Sequence, residues 1–350
     1  SFPTRRSSDL FMMHTSTSPQ YSIIASTDVS AKMMDDAGEY LTDESIDEAI
    51  TFRQAMVRLT QQVVQRNATD WWFGVWQPDD VDGTPFAEVD RQRLHQSDAW
   101  VLKPGAQWHG FGDLGNDYCM LDPIKVTLLT PGLDSQGQLQ AWGIPAPLVS
   151  SFLSSCGTVV EKTEPYSILV LFSIGVTKGK WGSLVAAMME FKKHYDANTA
   201  LEEVMPDLVA AYPDSYEGLG LQDLAQRMHD EIVRSGLLRN MDKAFTLLPD
   251  PVSTPRATYA KLVKGNVEQI AVRDLQDRTV AVQVVPYPPG IPLMMPGEAV
   301  GADKRAIIDY LLAMEQFDVC FPGFEHDNHG IEIERDAHHG LTYKVYVVKQ

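Results

Sequence analysis

The strongest constraint on this chain is the way strand-length and helix-length apolar segments alternate within one stretch. Residues 145–153 read as a short helix, 158–160 and 166–174 as strands, and 180–195 as an amphipathic helix that closes the unit. Interleaving of this kind excludes an all-helical bundle and an all-strand sandwich, leaving an α/β or α+β class. Upstream, residues 45–66 carry Ile46, Ala49, Ile50, Met56, Val57, Val63 and Val64 at mostly helical spacings. Asp43, Glu44, Asp47 and Glu48 fall at the expected start of that helix, where negative charge offsets the positive end of the helix dipole. Between Asp70 and Gly132, aromatic and β-rich pieces punctuated by Gly and Pro read as strands and loops. Beyond Asn198 the helical runs lengthen, at 201–211 and 221–238, which puts a boundary near residue 200. The tail then gives strands around the Pro-rich 287–298, a helix at 304–316 and a last strand at 341–348.

Composition narrows the function class. At 350 residues the chain is long enough for two or three domains, and 44% hydrophobic with 22% charged residues is the balance of a folding chain. A net charge of −18 repels phosphate backbones and anionic lipids, so nucleic acid and membrane surfaces are poor partners, and it would draw a cationic small molecule without fixing where one binds. No run approaches the roughly 20 consecutive apolar residues that a bilayer crossing needs. Cys119, Cys156 and Cys320 are odd in number and never form a Cys-x-x-Cys pair; they suggest neither a disulfide framework nor a zinc knuckle, and a reducing cytoplasm is expected. Residues 1–10, SFPTRRSSDL, resemble one reading frame of a sequencing-library adapter. They are expected to be non-native, and the chain to be a piece whose upstream part was lost.

Local motifs leave the chemistry open. Gly110, Gly112 and Gly115 match G-x-G-x-x-G but open no apolar helix, and Gly175 to Lys180 imitates a P-loop with Trp181 where Ser or Thr must hold the metal. Glu325, His326, Asp327 and His329, with His338 and His339 beyond, have ligand chemistry but read as solvated loop residues, so no metal is expected. His109, next to a tryptophan, reads as a hydrogen-bonded structural histidine.

Longer strings carry more. Asp70-Trp-Trp-Phe73, Trp108-His-Gly-Phe111, Leu121-Asp-Pro-Ile-Lys125, Gly143-Ile-Pro-Ala146, Val160-Glu-Lys-Thr163, Leu171-Phe-Ser-Ile-Gly175, Pro286-Tyr-Pro-Pro-Gly-Ile-Pro292 and Phe321-Pro-Gly-Phe324 follow one another in this order. In these the chain resembles the C-terminal half of the bacterial pyridoxal-phosphate-dependent lysine, ornithine and arginine decarboxylases, of fold type I. The resemblance implies the end of a large cofactor-binding domain at 11–37, an aminotransferase-like small domain at 38–198 and a mixed α/β C-terminal domain at 199–350. It also implies pyridoxal 5'-phosphate as cofactor, its pyridinium ring serving as electron sink for loss of carbon dioxide from a basic amino acid. The family's cofactor lysine lies in a Ser-x-His-Lys string that is absent here, so no catalytic residue is assigned and the fragment alone is expected to be inactive. Proton consumption by such enzymes links them to acid tolerance.

Two site residues follow from the same likeness. Ser16, in Thr15-Ser-Thr-Ser-Pro19, matches the position from which a neighbouring subunit reaches the cofactor phosphate. It implies a site shared across at least a homodimer, within a larger homo-oligomer. Glu161 matches a substrate-binding glutamate of lysine and ornithine decarboxylases; a buried carboxylate suits a terminal primary ammonium. The competing reading pairs Glu161 with Lys162 or an arginine on the surface. Residues 52–56, Trp181-Gly182 and 194–199 resemble the arginine enzymes more closely, so lysine is favoured with arginine and ornithine as alternatives. A non-catalytic assembly or regulatory module is the rival from another class.

Overall fold

The computed structural model describes residues 18–112, 114–115, 119–287, 289–335 and 340–350. It opens on α1 (Tyr21–Arg66), a helix of 46 residues that begins well before the expected start at 45 and runs unbroken through position 37/38. The acidic run therefore sits in the middle of α1 and cannot act on its dipole. These side chains instead hold neighbours: Glu48 accepts from Trp181 Nε1 at 2.5 Å and Asp47 pairs with Arg91 at 2.8 Å.

A four-stranded antiparallel sheet follows, built from β1 (Gly74–Val75), β2 (Lys125–Leu129), β3 (Lys162–Glu164) and β4 (Ser167–Leu171) in the order β1-β2-β4-β3. α2 (Ala146–Ser155) and α3 (Lys178–Asp196) pack against each other beside it. The strand expected at 158–160 is absent: this stretch is irregular, and pairing starts only at Lys162, whose Cα partner is Leu169. The antiparallel pairing throughout these sheets selects α+β from the two classes that the sequence leaves open.

After Asn198, the helical run at 201–211 is cut in two, because Pro206 has no N–H to continue the ladder and displaces the residue before it from helical geometry. The run at 221–238 likewise divides at Gly236, in the left-handed region at φ 65°, into α4 (Leu221–Ser235) and α5 (Leu237–Thr246). The last part combines β5 (Val267–Ala271), β6 (Val285–Tyr287), α6 (Ala306–Cys320), β7 (Asp327–His329), β8 (Ile331–Arg335) and β9 (Leu341–Val348). β9 is the centre of a three-stranded antiparallel sheet, β8-β9-β5, and β7 pairs with β6.

One apolar core crosses residue 200, joining Phe52, Phe73, Ile168 and Phe191 to Met228, Leu311, Phe317 and Tyr343. Burying each large side chain contributes about 1.5–3 kcal/mol. A smaller cluster of Ile50, Val81, Phe86, Trp100 and Leu121 packs under α1. Among the described residues, no helix is long and apolar enough to cross a membrane, and all three cysteines are free.

Candidate functional site

Glu161 stands in the irregular turn between α2 and β3, its backbone N–H tied to Leu169 O at 2.9 Å. That turn is clamped to α2 by Thr163, whose hydroxyl donates to Ser150 Oγ at 2.9 Å. The turn forms one wall of a groove of about 640 Å³, with the serines of α2 beside it. The facing wall is the Gly323–Asp327 turn that follows α6, with Tyr287 of β6.

The structure alters the expectation for Glu161 in two ways. Its side chain is exposed, not buried, because a turn with no element packed over it leaves the carboxylate open to the groove. The alternative pairing with Lys162 is also not made: Lys162 Nζ lies 2.6 Å from Glu164 Oε1, and among the described residues no cation is within ion-pair distance of Glu161. Ser16, the second expected site residue, lies outside the described residues.

The opposite wall contains a buried polar network that the sequence reading missed. Asp318 of α6 is 1% exposed. It accepts from the backbone N–H of His326 at 3.1 Å, stands 2.6 Å from His326 Nδ1, and accepts from the Tyr343 hydroxyl. Asn328 Nδ2 donates to Tyr343 Oη at 3.1 Å. Burial, reinforced by the charge of Asp318, pushes the Tyr343 phenol far above its ordinary range, so that it remains a donor. A carboxylate with several donors is the arrangement that makes a buried charge tolerable. Its consequence is a fixed imidazole ring at the groove. The available sequence signal was an Asp between the apolar Phe317 and Val319.

Glu325 and Asp327 flank His326 on the same wall, and Glu325 accepts from Gly323 N at 2.9 Å and from Arg335 at 2.7 Å. Among the described residues, no group of three His, Cys, Asp or Glu side chains can hold a metal, and His338 and His339 lie outside those residues. His109 is structural, as read: Phe111 N donates to its Nδ1 at 3.0 Å, leaving Nε2 to donate to Lys103 O at 2.8 Å. Among the described residues, the glycines at 110, 112 and 115 open no helix. Lys180 donates to Gly175 O at 2.9 Å, a bond within its own turn, where a P-loop lysine would be free for phosphate.

Residues 2–180 match the Orn/Lys/Arg decarboxylase major domain, and residues 238–349 match the C-terminal domain of the same family. The chain belongs to the Orn/Lys/Arg decarboxylase family. The first of these spans includes residues 2–10, set aside above as adapter-like. Among relatives, the chain is 49% identical to lysine decarboxylase LdcA of Pseudomonas aeruginosa, over 99% of this chain and 44% of that protein. It is 41% identical to the biodegradative arginine decarboxylase of Escherichia coli, over 97% of this chain and 46% of that protein. The structure of P. aeruginosa lysine decarboxylase A superposes with a TM-score of 0.88 at 47% identity, over 99% of this chain and 45% of that one. E. coli constitutive lysine decarboxylase gives 0.85 at 40% identity, over 100% and 46%. The chain therefore spans less than half the length of the relatives it matches.

Family membership brings pyridoxal phosphate into question. All fourteen lysines lie within the described residues and none is buried. The one lysine at the groove, Lys162, is engaged with Glu164. The residues described thus do not by themselves fit a site that anchors this cofactor through a lysine.

Proposed function

We propose that this chain is the C-terminal portion of a pyridoxal-phosphate-dependent decarboxylase of basic amino acids, with lysine, giving cadaverine, as the favoured substrate. Glu161 receives the terminal ammonium of that substrate, and the cofactor anchor belongs to the part of the relatives' length that this chain does not span. The observation that carries the reading is the free carboxylate of Glu161 in a groove that also presents Asp327, while Lys162 is neutralised by Glu164 and Glu325 by Arg335. A carboxylate without a protein cation, in a wall of net negative charge, is matched by a ligand that brings its own ammonium. The 49% identity to one lysine decarboxylase supports the same substrate, while a second lysine decarboxylase and an arginine decarboxylase stand level at 41%.

The domain division at 11–37, 38–198 and 199–350, the contribution of Ser16 to a neighbouring subunit's phosphate, and assembly as at least a homodimer belong to the same proposal. The upstream coding sequence tests its first part. A Ser-x-His-Lys string in the same frame supports a decarboxylase, whereas a start codon near Phe11 supports the non-catalytic module. For the second part, Glu161→Gln in the enzyme with that upstream sequence restored is expected to raise KM for lysine about 30-fold or more, the cost of about 2 kcal/mol for an unpaired ammonium. An unchanged KM removes Glu161 from substrate recognition.

A further inference from the structure

A second cavity, away from the Glu161 groove, has walls of a different chemistry. It measures about 440 Å³ and lies where the segment before β1, the loop after Leu139, the C-terminal end of α3 and the first turns of α4 meet. Its aromatic walls are the indoles of Trp71 and Trp142 and the ring of Tyr195; its polar groups include Asp196, Asp223 and Gln226.

Both indoles are held in place. Trp71 donates from Nε1 to Asp196 Oδ1 at 2.9 Å and meets Tyr195 edge-on, with ring centroids 5.2 Å apart. The loop carrying Trp142 is fastened to α4 through the two preceding carbonyls: His229 Nε2 lies 2.9 Å from Gln140 O, and Gln226 Nε2 reaches Ala141 O at 3.4 Å. Gly143 then passes so close to α4 that an added Cβ would lie 2.3 Å from His229 Nδ1, so the loop cannot move inward. Trp142 stays 37% exposed and lines the cavity.

The chain already demonstrates what these walls accept. The Lys192 ammonium sits 4.5 Å from the centroid of the Trp71 ring, with Asp70 at 2.5 Å and Asp196 at 2.8 Å. That single cation is shared by two carboxylates. The third, Asp223, closes the capping box of α4 by accepting from Gly220 N at 3.3 Å and also accepts from Asn198 Nδ2 at 3.0 Å, and among the described residues no side-chain cation pairs with it. The cavity thus combines an unused indole face with uncompensated negative charge, in a chain whose net charge is −18. Indole faces attract ammonium groups electrostatically and pack well against methylene chains.

We infer that the Trp71–Trp142–Tyr195 cavity is a binding site for an alkylammonium ligand, a linear aliphatic diamine being the class that best matches it. One ammonium lies on Trp142 near Asp223, and the methylene chain runs along the aromatic wall. The inference is independent of the role of Glu161. Aromatic rings with carboxylates and amides also suit sugars, but a neutral ligand would leave the surplus charge uncompensated.

The test is a titration of the 350-residue chain with cadaverine, followed by tryptophan fluorescence, with pentanediol and glucose as neutral controls. A saturable change is expected with the diamine alone, weakening as salt is raised. Trp142→Ala should weaken binding about five- to tenfold, the loss of one cation–π contact, with Trp142→Phe restoring part of it. Asp223→Asn should weaken binding and reduce its salt dependence. Glu161→Gln should leave it unchanged, which separates this site from the groove. No saturable response to cadaverine, an equal response to pentanediol or glucose, or full affinity in Trp142→Ala would overturn the assignment.

Discussion

The two halves of α1 are one continuous helix in opposite surroundings. From Ala49 to Met56 it buries Ala49, Ile50, Phe52, Arg53, Gln54 and Met56 under the sheet and the aromatic loops. Near its start, Tyr21 is 84% exposed, and Ile23, Ile24 and Val29 are each more than half exposed. Apolar residues occur in both halves, so hydrophobicity alone does not explain the difference. What differs is whether another element supplies the facing wall. Most helical stability in proteins comes from packing of one face, and the exposed half is continued from the anchored one.

Arg53 shows how far that anchoring goes. Its guanidinium is fully buried and donates to Pro123 O at 3.0 Å, Lys125 O at 2.9 Å and Trp76 O at 3.3 Å, with Trp100 across its face at 5.2 Å. Burial drives its pKa down to about 9, against the charge of Asp122. The cation joins the start of β2, the residue two before it and the residue that follows β1 to α1. Replacing it with an apolar residue of similar size would leave those carbonyls unpaired.

The largest predicted effect is therefore in the packed half. Arg53→Leu and Phe52→Ala should each cost about 3–5 kcal/mol, the first through stranded carbonyls and the second through a cavity, read by urea denaturation. A loss below ~1 kcal/mol at either position would break the contrast. A smaller effect concerns the loop that follows α1. Burial opposes ionisation of Asp70, but hydrogen bonds from Lys192 and from Trp71 N prevail and hold its carboxyl below the usual range. Its contribution is present above the unfolded-state value of about 3.9 and is lost as pH falls through the lower folded-state value. Asp70→Asn should flatten the acid limb of a stability-versus-pH curve, and an unchanged limb would remove the tether. The smallest effects belong to the exposed half. Ile24→Ser and Val29→Thr should change stability by no more than ~0.5 kcal/mol, and amide hydrogens there should exchange faster than those around Phe52. Strong protection throughout α1 would show that something covers its exposed face in solution.

The same contrast accounts for what could be read in advance. The strand at Leu341–Val348 was legible because one side of it meets α6 and the sheet, which imposes an alternation of buried and half-buried residues. The start of α1 was not legible, since Gln20 makes no side-chain cap and the first turn holds no acidic residue to mark it. Its acidic residues looked like a start signal but serve Trp181 and Arg91 from mid-helix. At the groove, Glu161 was identified through a local string, whereas Asp318, His326 and Tyr343 form one network from three separate parts of the chain. Local pattern holds no trace of contacts made only by folding.

The most direct measurement is product formation by the enzyme with its upstream coding sequence restored, given lysine and arginine at equal concentration. Faster release of cadaverine than of agmatine, with the difference reduced by Glu161→Gln, is the predicted result. Equal or faster agmatine release, or a ratio indifferent to Glu161→Gln, would contradict the assignment of the groove to a primary ammonium.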